Sequence, residues 1–225
     1  KKIAKENNLI LIEDNSQSPS AIHHNQFTGT VGDIGVFSFN RHKVMQSGEG
    51  GVMVTSNDKI FEKASLFRNH GEAVVEDFGI TDIKNTVGLN LRMTELEAAI
   101  AIEQFKKLDY LNDKRIELAN RLTSNLSNIE GLSPPITLKG NKHVYYMYAI
   151  NYNQDETGLP RKYFVEAMLA EGFSIREGYV KPSYLEPVYQ KQICFGKNGF
   201  PFSYNKRKQK LNYAKGLCPV TEKIQ

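Results

Sequence analysis

Four apolar residues in a row, Leu9-Ile10-Leu11-Ile12, end in two carboxylates, Glu13 and Asp14. A strand without polar alternation has no face to give to water. It is expected inside a parallel sheet, buried on both faces. Sheets of that kind bind ligands beyond the carboxyl ends of their strands, which is where Glu13 and Asp14 stand. A second apolar run, Ile34 to Phe39, leads into a polar turn that carries Lys43. The glycine-rich Gly48-Glu49-Gly50-Gly51 follows and opens into a further strand, Val52 to Thr55.

An aspartate at one strand end and a lysine on a later strand-end turn are the pair that pyridoxal phosphate chemistry requires. The lysine amine condenses with the cofactor aldehyde and afterwards shuttles a proton. The carboxylate pairs with the pyridine nitrogen, keeps it protonated and so lets the ring draw electrons. Only the neutral amine attacks a carbonyl, so Lys43 is expected in a partly desolvated pocket. The glycines at 48, 50 and 51 fit neither phosphate-loop pattern, because Gly-Lys-Ser/Thr is missing and the turn opens into a strand rather than a helix. They are expected to allow a tight backbone turn beside the lysine.

Three segments in order carry a resemblance. They are Glu13-Asp14-Asn15-Ser16-Gln17; Gly32 to Phe39, with Lys43 five residues before Gly48-Glu49-Gly50-Gly51; and Gly88 to Ile100. Together they resemble the nucleotide-sugar aminotransferase family of the DegT/StrS type, over nearly the whole chain and most strongly from Leu9 to Ile102. The resemblance implies an α/β, aminotransferase-like fold of type I. This is part of a large, mixed, mostly parallel sheet domain with helices on both faces, plus a smaller C-terminal α+β domain. Residues 1–110 would be the later part of the large domain and 111–225 the small domain, incomplete at its end. The family's phosphate-binding and ring-stacking residues come from earlier in its sequence, so the chain is expected to be a fragment lacking the N-terminal part.

The same resemblance implies pyridoxal 5'-phosphate as cofactor and assigns residues to it. Lys43 would be the covalent anchor and Asp14 the partner of the pyridine nitrogen. Gln17 would lie against the ring and its phenolic oxygen, and Ser38 would bind the phosphate. Asn90 would reach the phosphate of the neighbouring subunit's cofactor. Structural readings stand beside two of these: a strand serine bonded to backbone for Ser38, and a helix-entry cap for Asn90. The implied activity is transfer of an amino group from glutamate or glutamine to a keto group of a nucleotide-linked sugar, in amino-sugar or surface-polysaccharide biosynthesis. It would be carried out by a cytoplasmic homodimer with shared sites. Relatives with histidine in place of the lysine are dehydratases, and Lys43 favours transamination. A sugar dehydratase, a cyclitol aminotransferase and a catalytically silent regulatory module of the same fold are the alternatives.

Composition excludes other classes. The net charge of +4 is spread among interspersed acids and bases, unlike a nucleic-acid groove, and Lys206-Arg207-Lys208 with Lys210 reads as an exposed loop. Cys194 and Cys218 form neither a disulfide framework nor a zinc site, and no metal is expected. The adjacent His23 and His24 point in different directions on a regular element and are expected at the surface. His42, which precedes Lys43, is expected to face solvent or to support the site from behind, with a direct touch on cofactor or substrate as the alternative. No run is long and apolar enough to cross a membrane.

Along the chain, a helix tail is expected to end at Asn7-Asn8, and a loop to run from Ser16 to Gly32. Asn57-Asp58 should cap a helix over 59–69. The stretch Glu72 to Val87 reads as a substrate-proximal or interface loop. Thr94 should cap an amphipathic helical segment reaching about Asn128, with a bend near Asp109 to Asn112. Beyond it, a strand over Val144 to Tyr152, a helix over Pro160 to Glu171 and a strand over Phe173 to Ile175 are expected to form a β-α-β unit. Tyr179 to Tyr189 is expected as loop, with tyrosines either lining a sugar site or packing.

Overall fold

The structure is a computed structural model that describes residues 1–72, 79, 86–204 and 211–224. Helix α1 (Lys2–Glu6) ends at Asn7, and Asn8 takes a left-handed φ of 53°, as the Asn-Asn pair led one to expect. Strand β1 (Ile12–Asp14) pairs parallel with β4 (Ile34–Ser38), which pairs antiparallel with β5 (Gly51–Val54). The parallel pairing matches the sequence reading, but the bounds and the burial do not. The strand starts at Ile12 rather than Leu9, and Ile10 and Ile12 are 64% and 60% exposed. Leu11 is taken by the connection instead: its N–H donates to Asp33 Oδ2, and its carbonyl accepts from the N–H groups of Asp33 and Ile34.

The connection from β1 to β4 is more ordered than a loop. It holds a hairpin of β2 (Ile22–His23) and β3 (Gln26–Phe27). Its central residues His24 and Asn25 both have positive φ, 45° and 65°, the mirror-image turn that matches strand twist. Strand β7 (Asn141–Lys142) adds to the free side of β2, and His23 Nδ1 lies 2.9 Å from Asn141 Oδ1. Glu13 clamps the end of this connection. Its two carboxylate oxygens accept from the backbone N–H groups of Gly29 and Gly32. Burial opposes the charge, but the N–H groups of Gly32, Gly29 and Val31 outweigh it and hold the Glu13 pKa below its ordinary value. Gly35 lets the backbones meet, because a Cβ there would stand 2.0 Å from the carbonyl oxygen of Gly29.

Helix α2 (Asp58–Arg68) follows, with the Asn57 side chain accepting from Ile60 N–H as expected of a cap. Helix α3 (Glu95–Phe105) opens on a full capping box between Thr94 and Glu97. Helix α4 (Leu108–Leu126) comes after a break at Lys106-Lys107, earlier than the bend expected near 109–112. The break precedes Leu108 because that residue opens α4 inside the core. Phe39, Met45, Ala101 and Leu108 are buried together, with Val44 and Met93 packed on them. One turn further, Asn112 is fully buried and donates through Nδ2 to the carbonyl of Pro19 at 3.0 Å.

Contacts divide the chain into two compact units: Lys1–Asn128 with Pro134–Ile150, and Ile129–Ser133 with Asn151–Gln225. This grouping keeps α4 and residues 134–150 with the first unit. In the second unit β6 (Leu132–Ser133) pairs antiparallel with β8 (Asn151–Tyr152). Helices α5 (Gln154–Thr157), α6 (Arg161–Ala170), α7 (Pro187–Lys191) and α8 (Pro219–Ile224) follow. Helix α6 lies where the Pro160-to-Glu171 pattern put it. The two flanking strands do not form as expected. Between 144 and 150 the left-handed Tyr145, φ 48°, interrupts the extended run. At 173–175 the Ile175 N–H turns back to the carbonyl of Phe173 and leaves the ladder. The Tyr179-to-Tyr189 stretch, expected as loop, includes a short 3-10 turn at Ser183–Leu185 and the start of α7. The basic cluster 206–208 with Lys210 lies outside the described residues, as does most of the 72–87 stretch.

The Glu13 clamp gives a first prediction. Glu13→Gln in the full-length protein removes the charge from two charge-assisted bonds and lowers stability by about 1 kcal/mol, a figure reduced for partial solvent screening. Because the folded pKa is depressed, the wild-type advantage is present above the ordinary carboxylate range and fades as pH falls through the lowered value. Urea denaturation midpoints of the two proteins at neutral and acidic pH check this. The gap should close on acidification.

Candidate active site

Alternation along the paired strands puts Asp14, Val36 and Ser38 on one face of the sheet, with Asp14 in register with Val36. Asp14 ends β1 and is exposed. Its Oδ1 accepts from both the hydroxyl and the backbone N–H of Ser16, the latter at 3.0 Å. The Ser16 hydroxyl, then its N–H, lower the Asp14 pKa; partial burial opposes them, and the positive charge of Lys43 adds to the lowering. The carboxylate is therefore held ionised. Its Oδ2 takes no hydrogen bond among the described residues.

The turn that carries Lys43 is closed at its base. Arg41 N–H donates to Gly48 O at 2.8 Å, Ser47 N–H to Phe39 O at 2.9 Å and Phe39 N–H to Gly50 O at 2.9 Å. Gly50 has φ 122°, a conformation that calls for glycine, and the tip of Met93 lies close against it, with Cε 2.7 Å from where a Cβ would stand. On either side of Lys43, Phe39, Val44 and Met45 turn into the core. The lysine itself is half-buried, with Nζ 5.0 Å above the centroid of the Tyr146 ring. His42, beside it, is exposed.

Ser38 ends β4, half-buried, and its Oγ accepts from Asn40 N–H at 3.3 Å. The backbone-bonded reading thus describes its acceptor side, and the hydroxyl hydrogen remains for another partner. Gln17 lies exposed in the turn after Asp14. Asn90 is exposed and bridges Asn69 through its backbone, and its Oδ1 accepts from Arg92 N–H at 3.5 Å. Thr94, not Asn90, caps the helix. The structure therefore brings Asp14, Ser38 and Lys43 to one end of one sheet, with Gln17 next along the chain. Among the described residues no hydrogen bond joins Asn90 to any of them.

Two participants were not singled out from sequence. Ser16 sits two residues after Asp14, the spacing at which a serine bonds an aspartate side chain in a turn, so the signal was present. Tyr146 gave no signal beyond the aromatic richness of its segment. That segment is pinned. Tyr145 N–H donates to His143 Nδ1 at 2.9 Å, Arg115 Nη1 donates to the Tyr145 carbonyl at 3.2 Å, and Tyr148 and Thr123 hydroxyls meet at 2.7 Å. Burial lowers the His143 pKa, which suits a neutral, accepting ring. A hollow of about 240 Å³ lies between the tyrosines and the Arg115-to-Leu122 face of α4.

Comparison with known proteins matches residues 1–214 to the DegT/DnrJ/EryC1/StrS aminotransferase family. The L-glutamine:2-deoxy-scyllo-inosose aminotransferase of Streptoalloteichus tenebrarius is 29% identical over 99% of this chain and 53% of its own length. Other matches are transaminases of UDP- and dTDP-linked sugars. Among solved structures, a DegT DnrJ EryC1 StrS aminotransferase from Brucella abortus superposes with TM-score 0.72 at 27% identity, over 91% of this chain and 51% of that one. E. coli GDP-4-keto-6-deoxy-D-mannose-3-dehydratase with bound hydrated PLP gives 0.68 at 26%, over 78% and 48%. The fold is the one these proteins share, and the chain spans about half the length of the curated relatives it matches.

Asp14 supplies the prediction of this section. Ser16→Ala removes the hydroxyl that does most to lower its pKa, so the carboxyl titrates closer to its ordinary range. Carbon-13 NMR of the labelled full-length protein, with Asp14→Asn to identify the signal, measures the shift. An unmoved titration would mean that Ser16 does not hold the charge.

Proposed function

This chain belongs to the DegT/DnrJ/EryC1/StrS aminotransferase family, and from that premise we propose that the protein of which it forms about half moves an amino group from glutamate or glutamine to a keto group of a nucleotide-linked sugar. The observation that carries the reading is geometric: Lys43, on its closed turn after β4, and Asp14, at the end of the parallel neighbour β1, stand at the same end of one sheet. The cofactor of the family is pyridoxal phosphate. The residues present fit it: an ionised carboxylate with one oxygen unbonded among the described residues, an amine on the turn after the neighbouring strand, and a serine hydroxyl with its hydrogen to spare on the same sheet face as the carboxylate.

When bound, that group supplies an aldehyde for amines and a ring that draws electrons from the carbon next to nitrogen. Asp14, being ionised, would keep a proton on the pyridine nitrogen. Lys43 would hold the aldehyde through Nζ and, as a free amine, would carry a proton at Nζ, serving first as base and then as acid. The Ser38 hydroxyl would donate to the phosphate, and Gln17 would serve the phenolic oxygen. The lysine favours transamination over the dehydratase reading. A cyclitol acceptor is the second reading, supported by the Streptoalloteichus relative that aligns with 99% of the chain. The proposal includes amino-sugar or surface-polysaccharide biosynthesis in the cytoplasm. It assigns residues 1–110 to the large domain and 111–225 to the small one, in a homodimer whose partner receives Asn90 at its phosphate.

Full-length Lys43→Ala should lose at least roughly 10²-fold in turnover with a panel of keto-sugar nucleotides and cyclitols, because covalent anchor and proton carrier go together. Near-normal activity in this variant would sink the assignment. The shared site has its own test. Asn90→Asp puts a like charge beside the phosphate and should be nearly inactive. Unfolded together and refolded with Lys43→Ala, it should regain activity, because a mixed dimer has one site with both residues intact. Mixed dimers as dead as their parents would mean that Asn90 serves its own subunit or none.

A further inference from the structure

Four rotatable bonds separate the Lys43 amine from the backbone, and the turn fixes only the backbone end. No salt bridge among the described residues takes this ammonium. It lies instead over the face of Tyr146, 5.0 Å from the ring centroid, within the range where the negative face of an aromatic ring attracts a cation. We propose that Tyr146 is a positioning residue for Lys43, its ring face holding the free ammonium at the end of the sheet whenever the lysine is not covalently engaged. The inference rests on the assignment of Lys43 made above.

The ring is suited to this because its own backbone is held from both sides. Residue 145 is locked in a left-handed conformation and tied to His143 and Arg115. Residue 148 is tied to Thr123 on α4. A ring built on a pinned segment presents a fixed face, and a flexible amine that settles on it loses its other orientations once rather than at every turnover. Among the described residues, Asp14 at the end of β1 attracts the ammonium through its charge and Tyr146 attracts it through the ring. Only the ring sets a direction by its plane. The hydroxyl of Tyr146 has no part in this.

The test reads the Lys43 amine itself, in full-length protein stripped of cofactor. The rate of acetic anhydride labelling at one pH, quantified on the Lys43 peptide by mass spectrometry, reports how firmly the amine is held. Tyr146→Leu should raise it roughly threefold, because the attraction is lost. Tyr146→Phe should leave it within error of wild type. Replacement by pentafluorophenylalanine, which keeps the ring shape and reverses the charge of its face, should raise it like leucine and guards against a misfolded leucine variant. A leucine or pentafluoro protein with the wild-type value overturns the inference, and so does a phenylalanine protein that shifts as far as leucine. Failure of the underlying assignment looks different: borohydride reduction of wild-type protein with pyridoxal phosphate would then leave no cofactor on Lys43.

Discussion

The parallel pairing of β1 with β4 is what the rest depends on. Two parallel strands cannot be joined by a tight turn, so the chain must leave the sheet at Asp14 and return at Ile34 by a long path. Here the path is a hairpin and not a helix, and its return is held by Glu13 and by the absence of a side chain at Gly35. If the return slipped by one residue, Ser38 would move to the other face from Asp14. Register, clamp and site are thus one arrangement.

The turn after β4 shows how a reactive side chain is held without enclosing it. Lys43 is only half-buried, while Phe39 and Met45 are drawn into a core shared with α3 and α4 and Val44 packs against it. The apolar residues fix where the turn sits, and the glycines at 48 and 50 supply the positive φ values that let it close. Asn112 extends the same logic, tying α4 to the loop that follows Asp14 from inside the protein.

Much of this was legible because it depends on neighbours in sequence. The Asn57 and Thr94 caps, helices α2 and α6, and the strand–turn–strand around Lys43 are local patterns, and each formed near its expected place. What was not legible depends on distant partners. Four apolar residues in a row state that β1 needs covering, not that the described chain covers it. The aromatic run from Val144 reads as strand by propensity, yet Tyr145 goes left-handed because His143, Arg115 and Thr123 hold its surroundings. The helix break at Lys106-Lys107 is set by where Leu108 must enter the core. Among the candidate residues, Asp14, Ser38 and Lys43 come together because one sheet carries them, whereas Asn90 is held at Asn69, on other elements.

The exposed apolar residues on one face of the sheet have a consequence for solubility. Ile12, Val36 and Met53 share that face with Asp14 and Ser38, and beyond β1 no described strand completes the sheet edge. A bare patch beside an unpaired edge is where newly made chains adhere to one another. The described residues on their own would therefore self-associate through this face, and a segment laid against it would cover the surface that carries Asp14 and Ser38.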